Sequence, residues 1–188
     1  YSNTDALMLS GETASGKYPL EAVKTMAAIA EQAERDRVNV EAFEVPMNDK
    51  CTQREFLAHS AIDATRKLGV AGIITDSESG ETARHLAAFR GPTPILAICY
   101  KEKTQRWLNL SFGVTPIYQK KHKSPEYMFI AALRMLRQKG YITMDDKIAY
   151  MSGSFGENGG TTFLEINKVG QVFDKSYEFH LPQHVDID

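Results

Sequence analysis

Short, mostly apolar runs alternate with helical segments along most of this chain, and this alternation constrains the fold more than any other feature. The predicted strands are five or six residues long and cover residues 70–75, 94–99, 114–118, 147–151 and 161–166. Runs that are apolar throughout, rather than at every second residue, are typical of parallel strands buried on both faces. With helices between them, they predict an α/β fold in three layers, with a sheet covered by helices on both faces.

Residues that start and stop helices mark the segments between these strands. Thr52 is predicted to cap a helix in a capping box with Glu55, and Gly69 is predicted to end it. Ser124 followed by Pro125 opens another helix that stops before residue 140. Further helices are predicted at residues 19–38, 80–89 and 104–110. The buried stripe predicted for the helix after Thr52 consists of Phe56, Leu57, Ala61, Ala64 and Leu68.

The last two predicted strands are joined only by the loop of residues 152–160. This connection is too short to hold a crossover helix, so the final strand is predicted to run antiparallel to its neighbour. The sheet is therefore expected to have five strands, mostly parallel, with the last strand antiparallel.

The first residues of the chain have the character of a strand end that could carry chemistry. Residues 6–9 form a continuous apolar run, then Ser10 and Gly11 break it, and Pro19 suits the first turn of a helix. In parallel α/β folds the chemistry lies at the carboxyl ends of strands, which makes Ser10 a candidate catalytic residue. The alternative is an ordinary strand-to-helix turn with a solvated serine. A strand end of this kind so early in the chain suggests the tail of a larger enzyme.

Charge and composition exclude several classes of function. The 22 basic and 24 acidic residues are nearly balanced, which argues against an electrostatic nucleic-acid binder. The basic run at residues 120–123 is interpreted as a solvated loop. The two cysteines and five histidines have no metal-ligand spacing, so no metal site and no disulfide framework are predicted. No apolar segment approaches the length of a membrane span, and no signal peptide is visible.

Two loops rich in serine and glycine are candidate ligand sites. The first, residues 75–82, follows a buried strand and opens a helix, where backbone N–H groups and hydroxyls can hold an anion. The alternative is a well-capped helix start. In the second loop, residues 152–160, glycines permit close approach of the backbone to a ligand. The alternative there is a long hairpin connection.

The segment from Thr4 to Val23, T-D-A-L-M-L-S-G-E-T-A-S-G-K-Y-P-L-E-A-V, resembles the last strand and helix of the catalytic barrel of pyruvate kinase. The later elements resemble the C-terminal domain of that family through residues 78–84 and 153–160, and the resemblance runs from residue 4 to about residue 167. It implies a barrel remnant over residues 1–45, an orphan strand-helix unit. This remnant is followed by a C-terminal α/β domain over residues 46–168 and then by an extension over residues 169–188.

The resemblance implies a cytoplasmic parent enzyme of glycolysis that transfers a phosphoryl group from phosphoenolpyruvate to ADP, giving pyruvate and ATP. It implies magnesium and potassium for that enzyme, held by earlier barrel strands that are not in this chain. The chain alone is therefore expected to be inactive and to hold no cofactor. In this family the serine matching Ser10 takes part in delivering the proton to the enolate.

Pyruvate kinases use the loop matching residues 75–82 to hold a phosphate of an allosteric effector. By resemblance its contacts here are Ser77, Ser79, Gly80 and Thr82, and the glycine loop that closes over the effector contains Gly153, Gly156 and Gly159. The sequence departs from the pattern at Glu78 and Glu81, whose negative charges disfavour a sugar bisphosphate. A monophosphate, or no effector, is expected instead.

The expected role of the chain is therefore regulation and subunit contact. Its expected partners are a phosphorylated effector, the rest of the same enzyme and the other subunits of a homo-oligomer, without nucleic acid or membrane. The second hypothesis is a constitutive assembly module that binds no effector, and a third is a stand-alone sensor of small molecules.

Overall fold

The computed structural model describes residues 4–38, 50–122, 124–153 and 160–178. The chain divides into two compact units, Tyr1–Pro46 and Met47–Asp188. Among the described residues, no helix combines the length and the apolar character that crossing a membrane requires.

The described residues of the first unit form two helices, α1 (Gly11–Ala14) and α2 (Pro19–Val38). Helix α2 has the bounds that the sequence predicts. The strand predicted at residues 6–9 is wrong, because described residues 4–10 form no strand. A strand needs a neighbour for its N–H and C=O groups, and no strand of the described residues pairs with this segment.

The second unit is built on a five-stranded sheet with the strand order β3-β2-β1-β4-β5. The strands are β1 (Gly72–Ser77), β2 (Ile95–Cys99), β3 (Val114–Tyr118), β4 (Lys147–Ser152) and β5 (Phe163–Lys168). Neighbouring strands pair in parallel from β3 to β4, whereas β5 pairs antiparallel with β4. This confirms the mostly parallel sheet and the antiparallel last strand that the sequence predicts.

Within the described part of the second unit, five helices accompany the sheet. They are α3 (Gln53–Leu68), α4 (Glu81–Ala88), α5 (Glu102–Leu108), α6 (Pro125–Gln138) and α7 (Val169–Glu178). The predicted capping box at the start of α3 is present, with Thr52 and Glu55 bonding to each other's backbone N–H groups. The left-handed conformation of Gly69 ends the same helix.

Two hydrophobic cores lie on opposite faces of the sheet. Strand β2 shows why, because Ile95, Ala97 and Cys99 point into one core whereas Leu96 and Ile98 point into the other. The first core is completed by α3, α4 and Leu108 of α5. The second is completed by α6 and α7. The layers are therefore helix, sheet and helix, as the sequence predicts.

The buried face of α3 differs from the predicted stripe. Phe56 and Leu68 are about half exposed. The predicted Ala61 and Ala64 are buried, and Leu57 packs partly buried against the first core, whereas Ala58, Ile62 and Thr65 are buried without having been predicted. Alanines at the contact allow a helix to approach its neighbours closely, so here the smallest side chains mark the packed face.

Residues 169–178, which the sequence sets apart as an extension, form helix α7. Val169 and Phe173 of this helix are buried in the second core. The backbone N–H of Val169 donates to Asp146 O, and that of Gly170 donates to Met144 O, each at 2.9 Å. The start of α7 is therefore held by backbone bonds to the segment before β4 and by apolar contacts in the second core.

Candidate functional site

The carboxyl ends of β1, β2, β3 and β4 lie at the same edge of the sheet, because these four strands run parallel. The loops that follow them begin at residues 78, 100, 119 and 153. In open α/β sheets, ligands bind at this edge. Most of the predicted site residues lie here.

The loop after β1 turns directly into α4. The backbone N–H of Gly80 donates to Ser77 Oγ at 2.8 Å, and that of Glu81 donates to Ser79 Oγ at 3.4 Å. Gly80 adopts a left-handed conformation with φ of +83° at the N-terminal cap of the helix. Ser77, Ser79 and Gly80 are thus together at the helix start, where both serine oxygens accept hydrogen bonds from the first N–H groups.

Thr82 connects this helix start to the beginning of the last strand. Its Oγ1 lies 2.7 Å from Thr161 Oγ1 in a partly buried hydrogen bond. Thr161 is itself buried. The structure therefore places Thr82 beside the end of the glycine-rich loop, and not only beside the loop after β1.

The two ends of the glycine-rich loop approach each other closely. A Cβ on Gly153 would lie 2.2 Å from the carbonyl oxygen of Gly160, so only glycine fits there. The N–H of Thr162 donates to Ser152 O at 2.9 Å and closes the base of the loop. The other two predicted loop glycines, Gly156 and Gly159, lie outside the described residues.

Glu78 does not present an isolated negative charge. Its Oε1 accepts a hydrogen bond from Lys121 Nζ, and its Oε2 lies 3.8 Å from Lys101 Nζ. The hydrogen bond and charge of Lys121, supported by the charge of Lys101, hold the pKa of Glu78 below its usual range. The repulsion that the sequence predicts between this acid and a phosphate is therefore offset by two ammonium groups.

Lys101 and Lys121 are the site residues that sequence reasoning missed. Lys101 follows β2 by two residues, and Lys121 follows β3 by three. The solvated-loop interpretation is incomplete for Lys121, because its ammonium group pairs with Glu78 across the edge. The signal that could have found both lysines is their position just after neighbouring parallel strands.

The second acid of the first loop is also paired. Glu81 Oε1 lies 2.5 Å from Arg54 Nη1 of α3 and 4.0 Å from His85 Nε2. Arg84 donates from Nη1 to Ser79 O at 3.2 Å. Two arginines, Arg54 and Arg84, therefore lie beside the start of α4 and offset the negative charge of Glu81.

A polar cluster lies beneath these loops, around Asp76 of β1. Burial raises the pKa of Asp76, while a hydrogen bond from the Ser152 side chain opposes the rise. Burial also raises the pKa of Tyr150 to about 12 and raises that of Tyr100. The sequence gives no local signal for this cluster, because Asp76, Tyr100 and Ser152 come from three different strand ends.

Ser10 belongs to the first unit, where it is exposed at the N-terminal cap position of α1. Its N–H donates to Glu12 Oε2 at 2.9 Å, and its carbonyl accepts from Thr13 Oγ1 at 3.2 Å. Its catalytic role stays a prediction. In the part of the chain that the structure describes, no three His, Cys, Asp or Glu side chains form a group that could hold a metal ion.

The fold and this edge define a class: an α/β domain with a serine-glycine loop at the start of the helix that follows its first strand. The family model described as "Pyruvate kinase, alpha/beta domain" matches residues 55–167. The chain therefore belongs to the pyruvate kinase family, through the α/β domain of that family.

Individual relatives agree with this assignment. The chain is 38% identical to a pyruvate kinase of Borreliella burgdorferi over 169 residues, which cover 88% of this chain and 35% of that protein. It is 35% identical to a pyruvate kinase of Bacillus licheniformis over 180 residues, which cover 93% of this chain and 30% of that protein. The chain thus spans about a third of the length of these relatives.

Among solved structures, the fold resembles a crystal structure of a pyruvate kinase from Cryptosporidium parvum. The TM-score is 0.73 at 27% sequence identity, and the match covers 86% of this chain and 32% of that chain. The three-layer fold is therefore that of the C-terminal part of a pyruvate kinase.

Proposed function

We propose that this chain is the C-terminal regulatory and subunit-contact part of a pyruvate kinase. The parent enzyme would transfer a phosphoryl group from phosphoenolpyruvate to ADP in the cytoplasm, as a step of glycolysis. The family match over residues 55–167 supports this assignment. Magnesium and potassium would neutralise charge around the transferred phosphoryl group of that enzyme, and no residue of this chain is assigned to them.

The observation that carries the regulatory role is the construction of the loop after β1. Two serine hydroxyls and the first N–H groups of α4 lie together where a helix start favours an anion. A hydroxyl that accepts an N–H bond keeps its own proton, so Ser77 and Ser79 can also donate to an oxyanion. Arg84, whose Nη1 donates to Ser79 O, adds positive charge beside them, whereas Lys101 and Lys121 are paired with Glu78.

The same geometry favours a sugar monophosphate over a bisphosphate as the effector. Glu78 already takes up the charge of both lysines, and Glu81 takes up that of Arg54. One phosphate group can be held at the helix start by N–H groups and hydroxyls. A second phosphate would find cations that already have carboxylate partners.

Isothermal titration calorimetry of the full chain with glucose 6-phosphate tests this function. Ser79→Ala removes an exposed hydroxyl, and we expect it to weaken binding about tenfold or more, since a hydrogen bond to a charged group contributes about 1.5–3 kcal/mol. Ser60→Ala is the matched control, because the Ser60 hydroxyl donates to Phe56 O within α3. Equal affinities for wild type, Ser79→Ala and Ser60→Ala would contradict the proposed site.

The second candidate function is a constitutive assembly module without an effector. The internal pairing of Glu78 and the use of both serine oxygens in capping favour it. A thermal-shift screen with sugar phosphates and nucleoside monophosphates separates the two functions. Stabilisation by none of these compounds would favour the assembly module.

A further inference from the structure

We propose that Asp76, Ser152 and Tyr150 form a proton-dependent switch, in which uptake of one proton by the Asp76 carboxylate reverses the hydrogen bonds that join the three side chains. The ligand of this site is the proton itself. The inference is independent of the proposed effector site, because the three side chains lie on the α6 face of the sheet, whereas the loop after β1 leads into α4 on the other face.

The strand register places the three side chains together. Ile74 and Tyr150 are neighbours in the parallel pairing of β1 with β4, and both side chains lie at the second core. Asp76 and Ser152 each follow one of them by two residues, so they point to the same face and lie side by side at the strand ends. Asp76 is partly buried, and Ser152 is buried.

Ser152 is the centre of the chain of hydrogen bonds. Its side chain is hydrogen-bonded both to the Asp76 carboxyl group and to the Tyr150 hydroxyl. A serine hydroxyl has one proton to donate and lone pairs with which to accept. Ser152 therefore donates to only one of these partners at a time, and it accepts from the other.

The protonation state of Asp76 decides which partner accepts the proton of Ser152. An ionised carboxylate can only accept, so Ser152 donates to Asp76 and Tyr150 donates to Ser152. A protonated carboxyl has an O–H group that needs an acceptor in this partly buried setting, and Ser152 Oγ is its neighbour. Asp76 then donates to Ser152, and Ser152 donates to Tyr150. The Tyr150 hydroxyl keeps its own proton in both states, but it changes from a donor to Ser152 into an acceptor.

The surroundings of Asp76 favour uptake of this proton above the ordinary range of an aspartate. Burial is the main cause that raises its pKa, and the charge of Glu78 adds to the rise. The hydrogen bond from Ser152 and the charge of Lys121 oppose it. Tyr100, which follows β2, faces Asp76 as well, since burial and then the charge of Asp76 raise the pKa of Tyr100.

Tyr150 connects the switch to α6 and β5. Its ring stacks on Phe129 of α6 with ring centroids 4.0 Å apart, and it meets Phe163 of β5 edge to face at 5.7 Å. Glu165 lies opposite Tyr150 in the register of β4 with β5. Burial, followed by the charges of Asp76 and Glu165, raises the pKa of Tyr150 to about 12, so its hydroxyl stays protonated while Asp76 titrates. The change at Tyr150 is therefore one of hydrogen-bond direction and not of charge.

The test is NMR spectroscopy of the full chain with ¹³C-labelled aspartate and tyrosine, titrated from about pH 3 to about pH 8. We expect the Asp76 carboxyl carbon to titrate with a midpoint above the ordinary aspartate value of about 3.9. The Tyr150 Cζ signal, which reports whether the hydroxyl donates or accepts, should change with the same midpoint. Ser152→Ala should raise the Asp76 midpoint further, because the ionised form loses its donor, and should remove most of the change at Tyr150. Ser152→Thr keeps the hydroxyl and should retain that change.

Three control variants identify the source of the signal. Asp76→Asn should remove the change at Tyr150, because Asp76 is the group that takes up the proton. Glu165→Gln and Tyr100→Phe should each leave the change in place, because neither side chain is a member of the proposed switch. Circular dichroism verifies that each variant is folded.

Several results would overturn the switch. A change at Tyr150 that persists in Asp76→Asn, or that is lost in Glu165→Gln, assigns the response to another acid. A change of full size in Ser152→Ala shows that Tyr150 responds to the charge of Asp76 through space. An Asp76 midpoint at or below the ordinary value, or a Tyr150 signal that stays constant in wild type, also contradicts the switch. None of these results affects the proposed binding of phosphate at the start of α4.

Discussion

Gly80 is the residue whose replacement tests the geometry of the first loop in most detail. Its φ of +83° lies in the left-handed region, where a Cβ costs about 1–2 kcal/mol. That Cβ would also lie 3.1 Å from Leu108 Cδ2 and 3.1 Å from Arg84 Nη1. Leu108 is fully buried, and overpacking against a core residue costs about 1–3 kcal/mol. We therefore expect Gly80→Ala to reduce the free energy of unfolding by about 2–5 kcal/mol.

Gly69→Ala is the matched control for the backbone part of this cost. Gly69 has a φ of +64°, and a Cβ added there meets no atom within 4 Å. Urea unfolding followed by circular dichroism measures both variants. With an m-value of about 2 kcal/mol per M, Gly80→Ala should unfold at a urea concentration about 0.5–1.5 M below that of Gly69→Ala. Equal midpoints would refute the argument that Leu108 packs against this turn.

Three further predictions concern other parts of the chain. A double-mutant cycle of Thr82→Val and Thr161→Val should give a coupling energy of about 0.5–1.5 kcal/mol in urea unfolding, and zero coupling would contradict the hydroxyl pair. Because burial raises the folded-state pKa of Asp76 above its unfolded value, its ionised form destabilises the fold. Asp76→Asn should therefore raise the calorimetric Tm near pH 7, with the gain shrinking toward about pH 4, and a lower Tm at pH 7 would contradict this. The chain alone should show no turnover in a lactate-dehydrogenase-coupled pyruvate kinase assay with saturating magnesium and potassium, whereas activity that survives repurification would disprove it.

Local signals predicted the elements of the second unit because their physical causes are local. The capping box of Thr52 and Glu55, the left-handed Gly69 and the Ser124 cap before Pro125 all lie within a few residues of the helix ends that they fix. The length of the 152–160 loop was enough to predict the antiparallel β5, because a crossover helix does not fit into it.

The features that the sequence does not predict depend on contacts between residues that are far apart in the chain. The strand order brings Glu78 close to Lys101 and Lys121, and Asp76 close to Ser152. No single segment of the sequence determines that order. The run at residues 6–9 is apolar enough for a strand, but no described strand offers it backbone partners. The predicted stripe of α3 is confirmed at Ala61 and Ala64 but wrong at Phe56 and Leu68, because the elements packed against a helix decide which of its large apolar side chains are covered.

A crystal structure of the full chain soaked with phosphate tests the central claim most directly. We predict an anion at the start of α4, with oxygens about 3 Å from the Ser79 hydroxyl and from N–H groups of the first turn of the helix. An anion at full occupancy elsewhere in the crystal, with the loop of residues 77–82 empty, would contradict the effector site.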